Sequence, residues 1–371
     1  MNKIILTAVV SGALAFAANA QQQKFLPNHL AVLRAGDGVI NLHLKQAPIF
    51  IDQFDPAGMN DAPSFTVTIP TKGSNALFFN GHAATEGNLT LSADRTLLAF
   101  AGYSTDLLQT KGTPSQLEIP RGFCTIDAGG NYSLVHRGSD WYGKTNPRGV
   151  VTDGTNNFWG CGNACGTVYF DAKNAAQPLQ LIKPFSNTRE VKIINHVLYA
   201  SINGPDGAEA GSPAGIYDYT AGEGTPVGLP RQADVTMHLV IPVGAAYTAN
   251  VGFDINPAGT IAYVSDTASG VQKYVKTNGD WKFAYNFSIP QTIPKDVNHA
   301  TGCFGLVVDF SGAAPIIYTT TMEGYGSMNS NRVVRIVDTD PSAAVTTIAQ
   351  ATSTNIVYRG IAFTPEARSA P

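Results

Sequence analysis

Six polar residues stand immediately before short apolar stretches of a 371-residue chain: Glu86, Arg148, Arg189, Asn250, His299 and Arg359, with Tyr358 beside the last. Three of them are arginines. Their planar guanidinium forks each match two oxygens at once, so their convergence would make a site for a carboxylate or a sulfate. If that anion is the uronate of an acidic sugar, the arginines neutralise it while His299 or Tyr358 exchanges a proton, as a polysaccharide lyase requires. The plainer reading is that each arginine ends a strand at the surface or pairs with a nearby carboxylate such as Glu86 or Glu190. No other reaction signature stands out. The chain has no Gly-x-Ser-x-Gly elbow, no Gly-x-x-x-x-Gly-Lys-Ser/Thr loop and no His-Glu-x-x-His helix. The oxygens of Asp153, Asn156 and Asn157 lack the spacing of a calcium loop and read as a tight turn.

The chain has four cysteines, Cys124, Cys161, Cys165 and Cys303. Cys161-Gly-Asn-Ala-Cys165 lies between two strand-like runs, and its sulfurs are expected to close a hairpin as a local disulfide. A metal centre would need further ligands, and no second cysteine pair or His-x-x-His stands nearby, so none is assigned. Cys124 and Cys303 are either buried thiols or a long-range bridge. No cofactor is assigned either.

The elements that must position these residues are strands. Asn250 to Ile289 shows the pattern best. Val251, Phe253 and Ile255 alternate with small or polar residues, Asn256-Pro257-Ala258-Gly259 turns, and Ile261 to Val264 runs back. Val271 to Val275 follows. After Asn278-Gly279, a strong hairpin signal, Trp281, Phe283, Tyr285, Phe287 and Ile289 occupy every second position. Four such strands recur as a unit, with first strands roughly 40 to 60 residues apart, as in propeller repeats. Later units open near Glu86, Gly149, Val191, Asn250 and Phe304. The first region supplies three strands (Leu30 to Leu33, Pro48 to Phe54, Ser64 to Ile69), and the missing innermost strand is expected at Arg359 to Phe363. The sequence therefore predicts an all-β fold, a six-bladed β-propeller closed by pairing of N- and C-terminal strands, which leaves no free edge. Seven blades is the alternative, if Ala76 to Phe79 and Met237 to Ile241 belong to another unit. The outer strand of the fourth unit, between Thr225 and Val240, has no clear place. Two long connections, Asn203 to Pro213 and Met322 to Met328, are expected to lie over a channel mouth.

Composition and address complete the picture. Only 14% of residues are charged, the formal net charge is −3, and 37 Gly with 22 Pro suit a turn-rich fold. No basic run points to nucleic acid. Met1-Asn2-Lys3, the apolar run Ile4 to Ala17 and Ala18-Asn19-Ala20 have the layout of a secretory signal over residues 1–20, leaving 21–371 as one domain. No later stretch is apolar for the roughly 20 residues a spanning helix needs. A monomer, secreted or periplasmic, is expected.

Leu33-Arg34-Ala35-Gly36-Asp37-Gly38, Glu86 to Asp94, Ala101-Gly102-Tyr103 and Arg359 to Pro365 resemble the corresponding segments of secreted bacterial β-propeller-like proteins of uncharacterised function. The resemblance spans most of the chain after the leader. It implies blade geometry and export, and it carries no catalytic residue across. A wider likeness to lactonase-like, NHL-like and quinoprotein-like propellers rests on fold alone. Three functions remain open: binding of a small molecule, glycan or protein partner; a carbohydrate lyase or hydrolase with an axial arginine-lined site; or a scaffold for protein interaction. The first two expect Arg148, Arg189 and Arg359 to converge on an open pocket, the third expects them paired or dispersed.

Overall fold

The computed structural model describes residues 24–44, 46–107, 113–174, 178–181, 187–203, 213–221, 225–231, 233, 235–244, 250–290, 302–323 and 331–368. The leader expected at residues 1–20, His299 and most of the two long connections lie outside them. Among the described residues the only helical turns are two of the 3-10 type, Leu42–Leu44 and Pro114–Gln116, and no helix is long and apolar enough to cross a membrane.

Alternation of apolar residues makes strands that bury both faces, because each sheet stands edge-on to a central axis and packs against a sheet on either side. Six antiparallel sheets result. Blade 1 is Val357–Phe363, Leu30–Ala35, Ile49–Phe54 and Phe65–Thr68, from the axis outward, so the last strand of the chain pairs with the first and closes the ring. Blade 2 is Thr90–Leu91, Leu97–Tyr103, Arg121–Asp127 and Tyr132–Gly138. Blade 3 is Pro147–Thr152, Asn157–Gly162, Val168–Asp171 and Leu179–Gln180. Blade 4 is Thr188–Ile194, Val197–Ile202 and Gly215–Ala221, whose outer side pairs both with Thr225–Pro226 and with Thr236–Pro242. Blade 5 is Asn250–Ile255, Ile261–Asp266, Gly270–Thr277 and Asp280–Phe287. Blade 6 is Cys303–Asp309, Ile316–Thr321, Arg332–Val337 and Val345–Gln350.

The ring therefore has six blades, and the seven-blade alternative falls for a structural reason. Phe78 and Phe79 make isolated bridges to Tyr103 and Ala47, stitching blade 2 to blade 1, while Met237 to Ile241 is the displaced outer strand of blade 4.

A repeated device locks neighbouring blades together near the axis. The inner strands of blades 3, 4, 5 and 6 shift register at one place, between Pro147 and Gly149, Thr188 and Val191, Asn250 and Phe253, and Cys303 and Leu306. Such a bulge leaves a backbone N–H without its ladder partner. A side chain on the second strand replaces that partner. Ser201 Oγ accepts from Glu190 N at 3.0 Å, Ser265 Oγ from Gly252 N at 2.8 Å and Thr320 Oγ1 from Gly305 N at 3.0 Å. The same hydroxyls donate onward into the next blade, to Val251 O at 2.6 Å, Phe304 O at 2.5 Å and Arg359 O at 2.5 Å.

Cys161 holds this position in blade 3. Its thiol takes the Gly149 N–H and donates to Arg189 O at 3.5 Å. This overturns the expected disulfide: all four cysteines are free. Cys161 packs between blades 3 and 4 with Trp159 and Val191, whereas Cys165 packs with Phe123 and Tyr142 between blades 2 and 3.

At the bulge, a glycine lets the next inner strand approach. A methyl on Gly360 would meet Leu89 N at 2.2 Å, and one on Gly305 would meet Arg359 O at 2.6 Å. Gly149 and Gly252 hold the same place in blades 3 and 5, Asn88 holds it in blade 2, and in blade 4 the residue is Glu190.

Candidate functional site

At the end of the ring where the inner strands begin, the described polar groups bond to one another. Glu86 is fully buried. Its carboxylate accepts from Tyr103 Oη at 2.5 Å, from Asn146 Nδ2, and from Asn80 N at 3.1 Å. Burial pushes its pKa up, against those hydrogen bonds and the Arg359 charge, which favour the ionised form. Arg148 donates from Nη1 to Asn187 Oδ1 at 2.5 Å and to Thr188 O at 2.8 Å, and burial pulls its pKa down to about 10. Arg359 donates from Nη2 to Asn80 O and Gly81 O, both at 3.0 Å, and lies over the Phe79 ring.

Two of the three expected arginines thus gather near Glu86, but they are buried and bonded mainly to backbone carbonyls. Arg189 is partly buried; its carbonyl accepts from Asn88 Nδ2 at 2.6 Å. Asn250 begins the inner strand of blade 5, and its side chain, like His299, lies outside the described residues. The Tyr358 ring packs edge-on against Phe54 between blades 6 and 1, away from any open mouth, and burial raises its hydroxyl well above the usual range. The cavity beside Arg359, bounded by Met322, Glu323 and Asn331, holds only about 10 Å³. That is room for about one water.

The open space is at the other end, where the inner strands finish. A cavity of about 290 Å³ reaches the inner strands of blades 1, 2, 4, 5 and 6. Two places after the bulge position, the inner strands of blades 1, 2, 4, 5 and 6 each place a residue in its lining. Thr90, Val307 and Ala362 are uncharged, whereas blade 4 supplies Lys192 and blade 5 supplies Asp254.

Lys192 reaches across the ring, donating from Nζ to Phe253 O at 2.8 Å in blade 5 and to Leu306 O at 2.7 Å in blade 6. Glu190 Oε2 lies 4.0 Å from the same ammonium and accepts from Phe253 N at 3.3 Å. Asp254 accepts from Ile255 N and Val308 N, each at 3.0 Å, and remains partly exposed. A carboxylate with two oxygens still has acceptor capacity beyond those two bonds. Burial pushes Glu190 up to about 7, partly offset by Lys192; burial raises Asp254 also, again opposed by Lys192. The floor therefore offers a carboxylate able to accept hydrogen bonds from hydroxyls and an ammonium beside it, while the Glu190 carboxyl lies buried behind them. Arg95 stands at the mouth, and a groove of about 700 Å³ leads outward past Val308, Phe363, Phe310 and Pro257.

Reading polar residues just before the inner strands located the end where those strands begin and missed this one. Its signal was present as a break in the repeat, Arg-Glu-Val-Lys at 189–192 where blade 3 has Arg-Gly-Val-Val at 148–151. Seeing it requires the bulges to be aligned first. Among the described residues no group of three or more His, Cys, Asp or Glu is arranged to hold a metal ion.

No family model and no curated protein matches the chain. Among solved structures, two candidate 6-phosphogluconolactonases, from Bacteroides uniformis ATCC 8492 and Bacteroides fragilis NCTC 9343, are similar over 88% of this chain and 83% and 82% of their own, each at 13% identity and a TM-score of 0.45. Dihydro-heme d1 dehydrogenase NirN, in complex with DHE, is similar over 90% of this chain and 58% of its own, at 12% identity and a TM-score of 0.36. These distant likenesses carry no chemistry to the present chain. The six-bladed architecture rests on the strand order itself.

Proposed function

We propose that this protein is an exported binding propeller that holds a small hydroxylated molecule, sugar-like in chemistry, in the axial cavity at the end where the inner strands finish. One observation carries the reading. Lys192 and Asp254 are adjacent charges among otherwise uncharged inner-strand residues of the cavity lining, with Glu190 behind them where four other blades have glycine. Buried charges cost stability unless paired, and perturbed ones gather at functional sites. The volume, about 290 Å³, sits at the lower edge of the about 300–1,000 Å³ typical of small-molecule sites. Backbone edges and Val307, Ala362 and Leu91 supply apolar walls, and Asp254 supplies the orienting acceptor. Export rests on the leader pattern of residues 1–20.

A catalytic role is the second reading, favoured by Glu190 titrating near neutrality beside Lys192. A carbohydrate hydrolase or lyase needs such an acid–base group. The scaffold reading draws its support from the opposite end, where Arg148 and Arg359 are engaged internally.

Calorimetry and thermal unfolding of the protein against neutral and acidic monosaccharides test the proposal. A ligand that binds only the folded state raises the melting temperature. Binding that is lost in Asp254→Asn and in Lys192→Met, and kept in Arg148→Lys at the far end, is the expected result. Binding unaffected by Asp254→Asn would remove the axial site from consideration.

A further inference from the structure

Arg95 carries information about the ligand that the cavity floor does not. It lies in the turn after the inner strand of blade 2, with φ of 63°, and lines both the cavity and the outer groove. Its Nε donates to Glu366 Oε1 at 2.6 Å, and both side chains are 46% exposed. Glu366 belongs to the segment that follows the last strand and crosses this face of the ring. Other bonds hold that segment: Thr364 Oγ1 donates to Leu26 O at 2.6 Å, Glu366 N to Arg95 O at 2.8 Å, and Arg368 Nη2 to Gly154 O at 2.6 Å. The Glu366 carboxylate is therefore not needed to anchor the segment.

The carboxylate meets the guanidinium through one N–H of a fork that has five. An exposed ion pair of this kind is weak and is screened by salt, whereas a two-pronged carboxylate contact is both stronger and more specific. We propose that Glu366 holds, at Arg95, the place of a ligand carboxylate, so that the axial site takes a sugar acid whose carboxylate displaces Glu366 while its hydroxyls face Asp254. This rests on the axial binding reading. The orientation follows from charge and from what is already engaged: at the floor Lys192 donates to Phe253 O and Leu306 O, and Asp254 repels a carboxylate and accepts from hydroxyls, whereas Arg95 at the mouth attracts the carboxylate. A neutral sugar has nothing to exchange with Glu366, and its binding does not depend on that contact.

The experiment is calorimetric titration of the full-length protein with galacturonate and glucuronate, each beside its parent sugar, galactose or glucose. The proteins compared are wild type, Glu366→Gln and Arg95→Asn; asparagine tolerates the left-handed backbone at position 95, and matching unfolding transitions establish that each variant is folded. Removing the competitor should tighten the sugar acid by about two- to fivefold in Glu366→Gln, the range of an exposed ion pair, and leave the neutral sugar unchanged. Arg95→Asn should weaken only the sugar acid. Raised salt should shrink the gap between wild type and Glu366→Gln. An acid affinity that is unchanged or weaker in Glu366→Gln, or an equal loss of acid and neutral sugars in Arg95→Asn, overturns the proposal while leaving axial binding in place. Failure of all four sugars to bind any of the proteins overturns the axial reading, and this inference with it.

Discussion

Glu190 shows how one side chain can alter the chemistry of a repeated fold. It occupies a position that is glycine in four other blades, is 2% exposed, and has Lys192 4.0 Å away. Its pKa, raised from 4.5 to about 7, has a consequence for stability. Between those values the folded protein keeps a proton that the unfolded chain has released. The contribution is fully present below pH 4.5 and is lost as pH rises through about 7. His136 acts in the opposite sense. Burial pulls it from 6.5 to about 4, so its contribution is present above pH 6.5 and is lost as pH falls through about 4. Because the two slopes oppose each other, total stability is a poor probe, and the difference between wild type and Glu190→Gln isolates the carboxyl. Urea unfolding should show the variant gaining about 3 kcal/mol relative to wild type between pH 4 and pH 8. A difference that stays flat across that range would mean that folding leaves the Glu190 pKa unshifted.

In blades 3 to 6 the second strand carries a side chain that both completes a bulge in its own blade and donates to the next blade, and this is the element-scale counterpart of ring closure. Ser265 is the best-defined case, accepting from Gly252 N and donating to Phe304 O. Ser265→Ala leaves a buried donor and a buried acceptor without their partner, and should cost about 1–3 kcal/mol by denaturant titration. Cys161→Ser should instead be close to neutral, because it installs the hydroxyl that blades 4 and 5 use at that position. If Cys161→Ser is as damaging as Ser265→Ala, the shared geometry is not what matters there. The same device explains why Cys161 is unavailable to Cys165: its sulfur faces blade 4 and is already engaged. The displaced outer strand of blade 4 illustrates the reverse case. Thr225–Pro226 and Thr236–Pro242 both pair with the third strand, so no single run of the sequence announces the edge.

For the whole molecule, free cysteines and closure by distant strands lead to one direct measurement. Among the four thiols, Cys165 is partly exposed and the other three are buried. Alkylation followed by mass spectrometry should label one thiol in the folded protein and four after denaturation without reductant. Two unreactive thiols after denaturation would show a bridge. Alternation of apolar residues and the spacing of turns were sufficient for the six units and for the joining of Arg359 to Phe363 with Leu30 to Leu33, because blade pairing is dictated by local periodicity and by the need to remove a free edge. The arginines could be placed near one end of the ring from the same pattern, but not their state. Whether Arg148 and Arg359 meet an outside anion or the carbonyls of Thr188, Asn80 and Gly81 depends on how neighbouring blades approach, which is a long-range property. The open cavity was hidden for the same reason. Lys192, Asp254 and Arg95 lie far apart in the chain and acquire a common space only when the inner strands ring the axis, so sequence determined the wheel, and tertiary packing decided at which of its ends that space lies.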